Sequence, residues 1–137
     1  MNDLSPHISL FDKSFSVNTS EYHIYMSIDY NAVTYSILNS QNNTYIGLEK
    51  YLLSDIYNDY SLVDPLNSIL QASKLLKQPF KSFNVAYVNP RSTLIPNALY
   101  NSSELKAYHQ FNFSLQEEDV FHSDKLINLP AYNVYSI

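Results

Sequence analysis

Glycine occurs once in this 137-residue chain, as Gly47. A backbone that must approach a phosphate closely, or turn through positive φ, ordinarily uses glycine. A single glycine inside the stretch TYIGLEKYL, which reads as a strand, excludes a P-loop, a Rossmann fingerprint and a G-x-S-x-G nucleophile elbow. Asparagine tolerates left-handed geometry best among the other residues, so turns are expected at asparagines.

The length fits one domain, and 45% hydrophobic residues suffice for a core. The net charge of −5 comes with no basic run, which argues against a nucleic-acid partner. Cysteine is absent, which removes disulfides, thiolate catalysis and cysteine-based metal sites. No segment has the pattern of a signal peptide or the apolar length of a membrane helix, so no membrane partner is expected and the expected location is cytoplasmic. Asn-x-Ser/Thr triplets at Asn18, Asn42, Asn101 and Asn112 are read as chance in an asparagine-rich chain.

Alternation of apolar residues predicts a strand over Tyr22–Tyr30 and another over Val33–Asn39, joined by a turn at Asn31-Ala32. The polar cluster Asn39–Asn43 is the next turn and Thr44–Leu52 a third strand, making an antiparallel meander. Asp64-Pro65 predicts a helix start, with Gln78-Pro79 closing that element. Ser82–Val88 is expected as a strand buried between neighbours. A second helix is expected from Asn101, with Glu104 completing a capping box. Strands over Val120–Ile127 and Ala131–Ile137 follow. The fold class is therefore α/β. A three-stranded meander followed by α-β-α-β gives a mixed sheet with helices packed on it, in the ribonuclease-H-like layout that forms half of an actin-like ATPase. Residues 1–137 are expected as one domain, with 1–20 as an N-terminal extension. The final strand, ending without a tail, is expected as a free edge for another chain.

The residues Pro90, Thr93-Leu94-Ile95-Pro96, Leu99-Tyr100, Tyr108, Phe111-Asn112 and Ala131-Tyr132-Asn133-Val134 resemble those of an uncharacterised bacterial family. That family is one of unknown function with an actin-like ATPase fold. The resemblance runs from Tyr22 to the end and is to the N-terminal half of longer relatives, whose second, similar half this chain lacks. It implies a fold and no assigned activity.

Candidate sites follow from residue type. An ATP-gripping hairpin needs an aspartate, phosphate-facing N–H groups and a hydroxyl. Asp29, Asn31 and Thr34 are the candidate cofactor-binding residues, but side chains crowd a bend that the cradle needs bare. No cofactor and no catalytic residue are therefore assigned, and the chain leans away from being an enzyme. His7, His23, His109 and His122 have no metal spacing, and no metal is expected. Glu117-Glu118-Asp119 reads as a solvated loop. Arg91, the sole arginine, follows the Ser82–Val88 strand at a sheet edge where α/β folds place ligands, which makes it a possible anion contact. Thirteen tyrosines suit either strands or a protein interface, and Tyr25, Tyr35, Tyr45, Tyr132 and Tyr135 are the interface candidates. The leading expectation is a non-catalytic protein-binding or scaffold module, with self-association its simplest form. The alternatives are an actin-like nucleotide binder completed by a second copy and a divergent nuclease of the ribonuclease-H type, for which Asp29 is the one acid well placed on the central strands.

Overall fold

The structure is a computed structural model that describes residues 4–88 and 90–137. Residues 1–3 of the expected N-terminal extension lie outside the described residues. The chain divides into two compact units, 1–88 and 89–137, where one domain was expected.

The first unit carries a five-stranded sheet in the order β1-β4-β3-β2-β5. Its strands are β1 (Ile8–Phe11), β2 (Tyr22–Ile28), β3 (Ala32–Asn39), β4 (Thr44–Leu52) and β5 (Ser82–Tyr87). Strands β2, β3 and β4 form the expected meander, and β5 runs parallel to β2. Strand β1, inside the expected extension, was not foreseen; it pairs antiparallel with β4 from Ile8↔Lys50 to Phe11↔Gly47.

Period-2 alternation decides which side of the sheet is buried. Ile24, Met26 and Ile28 of β2, with Val33, Tyr35 and Ile37 of β3, join Leu62 and Ile69 of α1 (Asp59–Ala72) in one core. Removing such side chains from water stabilises by about 1.5–3 kcal/mol each. The opposite face carries His23, Tyr25, Ser27, Thr34 and Ser36, which are only partly buried or exposed.

Helix α1 begins earlier than the Asp64-Pro65 signal implied. Asn58 is the N-cap: its side chain accepts from the Ser61 N–H at 2.9 Å, and the Ser61 hydroxyl accepts from the Asn58 N–H at 3.1 Å. Pro65 lies inside the helix. It lacks the N–H that would bond one turn back, and the reciprocal cap supports the turn that precedes it. Strand β5 is also not the buried strand expected: it ends the sheet, with β2 as its one neighbour. Turns do fall on polar residues in place of glycine. Asn43 between β3 and β4 takes φ 57°, and Asp55 takes φ 61°.

In the second unit, β6 (Ser92–Pro96), β7 (Phe121–Lys125) and β8 (Ala131–Ser136) make an antiparallel sheet in the order β6-β8-β7, with α2 at Leu105–Asn112. Strand β8 was expected in the one mixed sheet and as a free edge. It is the central strand of this separate sheet, paired on both sides. Strand β6 lies between the Ser82–Val88 segment and Asn101, where no element was predicted. Helix α2 starts four residues later than expected, with Glu104 at the N-cap and no side-chain bond there. The Asn101 carboxamide instead accepts from the Ser103 N–H and hydroxyl at 3.0 and 2.8 Å, a local turn that competes with helix formation.

The single glycine serves close approach, not turning. A Cβ at Gly47 would stand 2.8 Å from Cε1 of Phe11 and 3.3 Å from Cδ1 of Ile37. The absent side chain lets the Phe11 ring lie on β4 and dock β1. Gly47→Ala is expected to lower stability by about 1–3 kcal/mol through overpacking. The same change in a Phe11→Ala background is expected to be neutral or stabilising, because alanine suits a strand better than glycine once the ring has gone. Urea denaturation of the four proteins checks this, and an equal loss in both backgrounds contradicts it.

Candidate functional site

The carboxyl ends of β2 and β5 lie side by side, as in sheets that take ligands at that edge. Four groups here decide what the edge can do. Past the end of β2, the Asp29 side chain turns back on its own loop. Its Oδ1 accepts from the Asn31 N–H at 2.6 Å and the Ala32 N–H at 2.8 Å, while the Asp29 N–H donates to the Ala32 carbonyl at 3.0 Å. The amide groups that would face a phosphate thus already face a carboxylate. This is how a hairpin closes with no glycine at its bend.

The second carboxylate is Asp59, in the first turn of α1. Its Oδ1 accepts from the Tyr30 hydroxyl at 2.8 Å and from the Tyr87 hydroxyl. One acid therefore ties the β2–β3 turn, the helix start and the end of β5. Burial, and then the hydrogen bond to Asp59, push the Tyr87 phenol far above its ordinary value.

Of the three candidate cofactor residues, Asp29 and Asn31 are engaged with each other. Thr34 lies elsewhere, on the outer face of the sheet opposite Ser27. There it borders a shallow depression of about 370 Å³ with Tyr25, Ser36, Leu48, Asn84 and Ala86. The three are not gathered around one vacant slot. Among the described residues no group of three or more His, Asp and Glu is placed to hold a metal. No described helix is long and apolar enough to cross a membrane.

Arg91 was read as a possible contact for an external anion. Its guanidinium instead grips Asp119 bidentately at 2.7 and 2.9 Å and donates to the Ser114 carbonyl at 2.8 Å. Asp119 is accordingly not part of a solvated acidic loop: its side chain is 4% exposed. Arg91, the largest influence, holds its carboxyl down at about 2, opposed by desolvation. The Ser136 hydroxyl lies 3.2 Å from Nε2 of His109, and both residues are buried. Nδ1 of His109 makes no well-formed hydrogen bond, and the Arg91 main chain is the least of the influences on the ring. Burial, then the charge of Arg91, lowers the His109 pKa, with Asp119 pulling the other way.

The interface tyrosines separate into classes. Tyr25 and Tyr45 are exposed. Tyr132 is partly buried and stacks on Tyr100, ring centroids 3.6 Å apart, and Tyr135 is partly buried beside His122. Tyr35 offers no surface: it is 1% exposed, and its hydroxyl donates to Glu49. Glu49 and Asp59 both escaped the sequence reading. A readable signal existed for Glu49, which alternates with Gly47 and Tyr51 and so shares their inward face. Asp59 had none, because its partners Tyr30 and Tyr87 are remote in sequence.

The two titrations of the second unit have the same sign and different windows. Below about pH 6.5 the unfolded chain protonates His109 before the folded one does, so stability falls as pH drops. What Asp119 contributes is complete above pH 3.8 and is lost as pH falls toward about 2. The protection factors of the β8 amides, with the intrinsic exchange rate at each pH divided out, are expected to fall in these two stages. His109→Phe is expected to remove the upper stage and Asp119→Asn the lower, the latter destabilising by about 3–5 kcal/mol because the Arg91 guanidinium loses its countercharge. Unchanged pH profiles in both variants contradict this account.

The comparisons with known proteins agree with this architecture. The chain is similar to a Bacteroides thetaiotaomicron protein of unknown function with an actin-like ATPase fold, solved by crystallography at 1.85 Å resolution. The TM-score is 0.77 and the identity 18%, over 87% of this chain and 45% of that one. At that identity the likeness establishes the fold, an α/β architecture of the actin-like ATPase kind, and this chain spans under half of its neighbour's length. No curated protein sequence matches. A family model fits residues 12–137, and on that match the chain belongs to the family described as protein of unknown function, DUF3822.

Proposed function

We propose that this chain is a non-catalytic protein-binding module that accepts a strand at β5, with a second copy of itself as the partner. The open edge of β5 is the observation that carries this reading. The strand Ser82–Tyr87 pairs on one side alone. Phe83 and Val85 on it are 45% and 54% exposed. Edge strands are normally protected by a charge, a proline or a bulge. The sequence SFNVAY has no charge or proline, and its pairing with β2 runs without a bulge.

The strand is also complementary to itself. In an antiparallel pair centred on Val85, that valine meets its mate, and Phe83 lies opposite Tyr87 on the same face. Aromatic and β-branched pairs of this kind add about 0.2–1 kcal/mol each. No like charges oppose one another within the strand, which matters for a chain of net charge −5. The self-filled amides at Asp29 and the doubly bonded Asp59 weigh against the competing nucleotide reading.

Sedimentation velocity is expected to show a monomer–dimer equilibrium with a Kd of about 10 μM, in the range of modest interfaces. Val85→Lys, which sets like charges against each other across the two-fold, is expected to give a monomer of unchanged stability. A wild-type monomer at about ten times that Kd, or a dimer indifferent to Val85→Lys, contradicts the proposal. Millimolar ATP with magnesium is expected to leave the melting temperature where it is. A rise would instead support nucleotide binding.

A further inference from the structure

A cleft of about 410 Å³ opens in the first unit, away from the β5 edge. Phe11, Phe15, Val17 and Leu75 make its apolar walls, and Glu49, Lys74 and Gln78 supply the polar groups. The Phe11 and Phe15 rings meet at 59° with centroids 4.8 Å apart, forming an aromatic corner. Gly47, the only glycine, is what allows the Phe11 ring its place in that corner.

Glu49 enters from β4 with its carboxylate held in orientation. Oε1 accepts from the Ser9 hydroxyl at 2.8 Å. Oε2 accepts from the Tyr35 hydroxyl and, at 3.3 Å, from Tyr51. A carboxylate has about four acceptor positions, so three hydroxyls leave one open and leave the charge unneutralised. Lys74, just past α1, also lines the cleft. The ammonium and the carboxylate share the cleft without forming an ion pair, and the described ion pairs are Lys81–Glu21 and Arg91–Asp119. A ligand with only a positive charge would meet Glu49 favourably and Lys74 unfavourably. A purely anionic ligand would have the reverse problem. A ligand with both charges and an apolar body satisfies the two groups together, and its cationic end gains from the ring faces.

We propose that this cleft binds a small zwitterion with an aromatic or branched apolar body, of the free amino-acid class, its ammonium toward Glu49 and its carboxylate toward Lys74. The volume falls in the usual range for small-molecule sites.

L-phenylalanine is the probe, titrated into the ¹⁵N-labelled chain and followed by amide shifts. Saturable shifts are expected at Gly47, Lys74 and Gln78. Phenethylamine and 3-phenylpropionate, each lacking one charge, are expected to bind about tenfold more weakly, the loss of one charge-assisted contact. Lys74→Met, at an exposed position, is expected to weaken L-phenylalanine about tenfold while leaving phenethylamine unaffected or improved. Glu49→Gln tests the other contact. Because that change also disturbs the Tyr35 and Tyr51 bonds, Lys74→Met carries the decision if it fails to fold. The absence of saturable shifts up to about 10 mM overturns the proposal, as does equal binding of the three probes or indifference to Lys74→Met.

Discussion

A carboxylate inside a protein is tolerable when donors meet it, and this chain meets its carboxylates with tyrosine hydroxyls and turn amides. The bond set at Asp59 has the widest consequence. Tyr30 comes from the β2–β3 turn, Tyr87 from the end of β5, and Asp59 itself from the first turn of α1. Three elements that a sheet and a helix would leave loosely related are fixed at one oxygen. The parallel pairing of β5 with β2 and the seating of α1 over the buried face meet at that point. Glu49 repeats the device toward the β1 edge of the same face with Ser9, Tyr35 and Tyr51, tying β1, β3 and β4. Tyrosine is abundant here partly because it fills a core with its ring and answers an acid with its tip.

This use of polar groups bears on what the fold retains. The actin-like ATPase architecture is present, yet its carboxyl-edge groups bond to one another. Asp29 occupies the amides of its own turn, and Asp59 is covered by two phenols. The chain's sole arginine is committed to Asp119 in a separate unit. A fold carries no chemistry by itself, and function has to be argued from groups that remain available. Among the described residues they include the open backbone edge of β5 and the unjoined charges that line the Phe11–Phe15 cleft.

The meander was legible because its signal is local. Period-2 alternation over β2 and β3 and polar turns at Asn31 and Asn39–Asn43 do not depend on the rest of the chain. The second unit was not legible, because β8 reads the same whether it joins a large parallel sheet or a small antiparallel one. The segment Ala131–Ile137 fixes a strand but not its partners. Strand β5 was read as buried because its centre is apolar, and composition cannot tell a central strand from an unprotected edge. Asp64-Pro65 misled for a related reason. It is a good helix start in isolation, and the competing start at Asn58 depends on a serine at the third position, a weaker signal than the usual glutamate. Asp119 and Arg91 were misread separately because 28 residues part them. Their pairing is a fact of the fold, with no trace in local spacing.

The hairpin that keeps the outline of a phosphate clamp has two features that weigh against an anion there. The bend Tyr30-Asn31-Ala32 has a side chain on every residue, which is the obstacle visible in the sequence. The second obstacle is visible only in the structure: the carboxylate that should face a metal is folded onto the amides that should face a phosphate. Placing glycine at Asn31 or Ala32 removes the first and leaves the second, since Asp29 would still hold both N–H groups. Moving the acid without opening the bend frees the amides but not the space around them. Each change alone is expected to cost local stability without opening an anion site. The two features therefore support one another, and the self-closed hairpin is a stable alternative to the clamp rather than one substitution away from it.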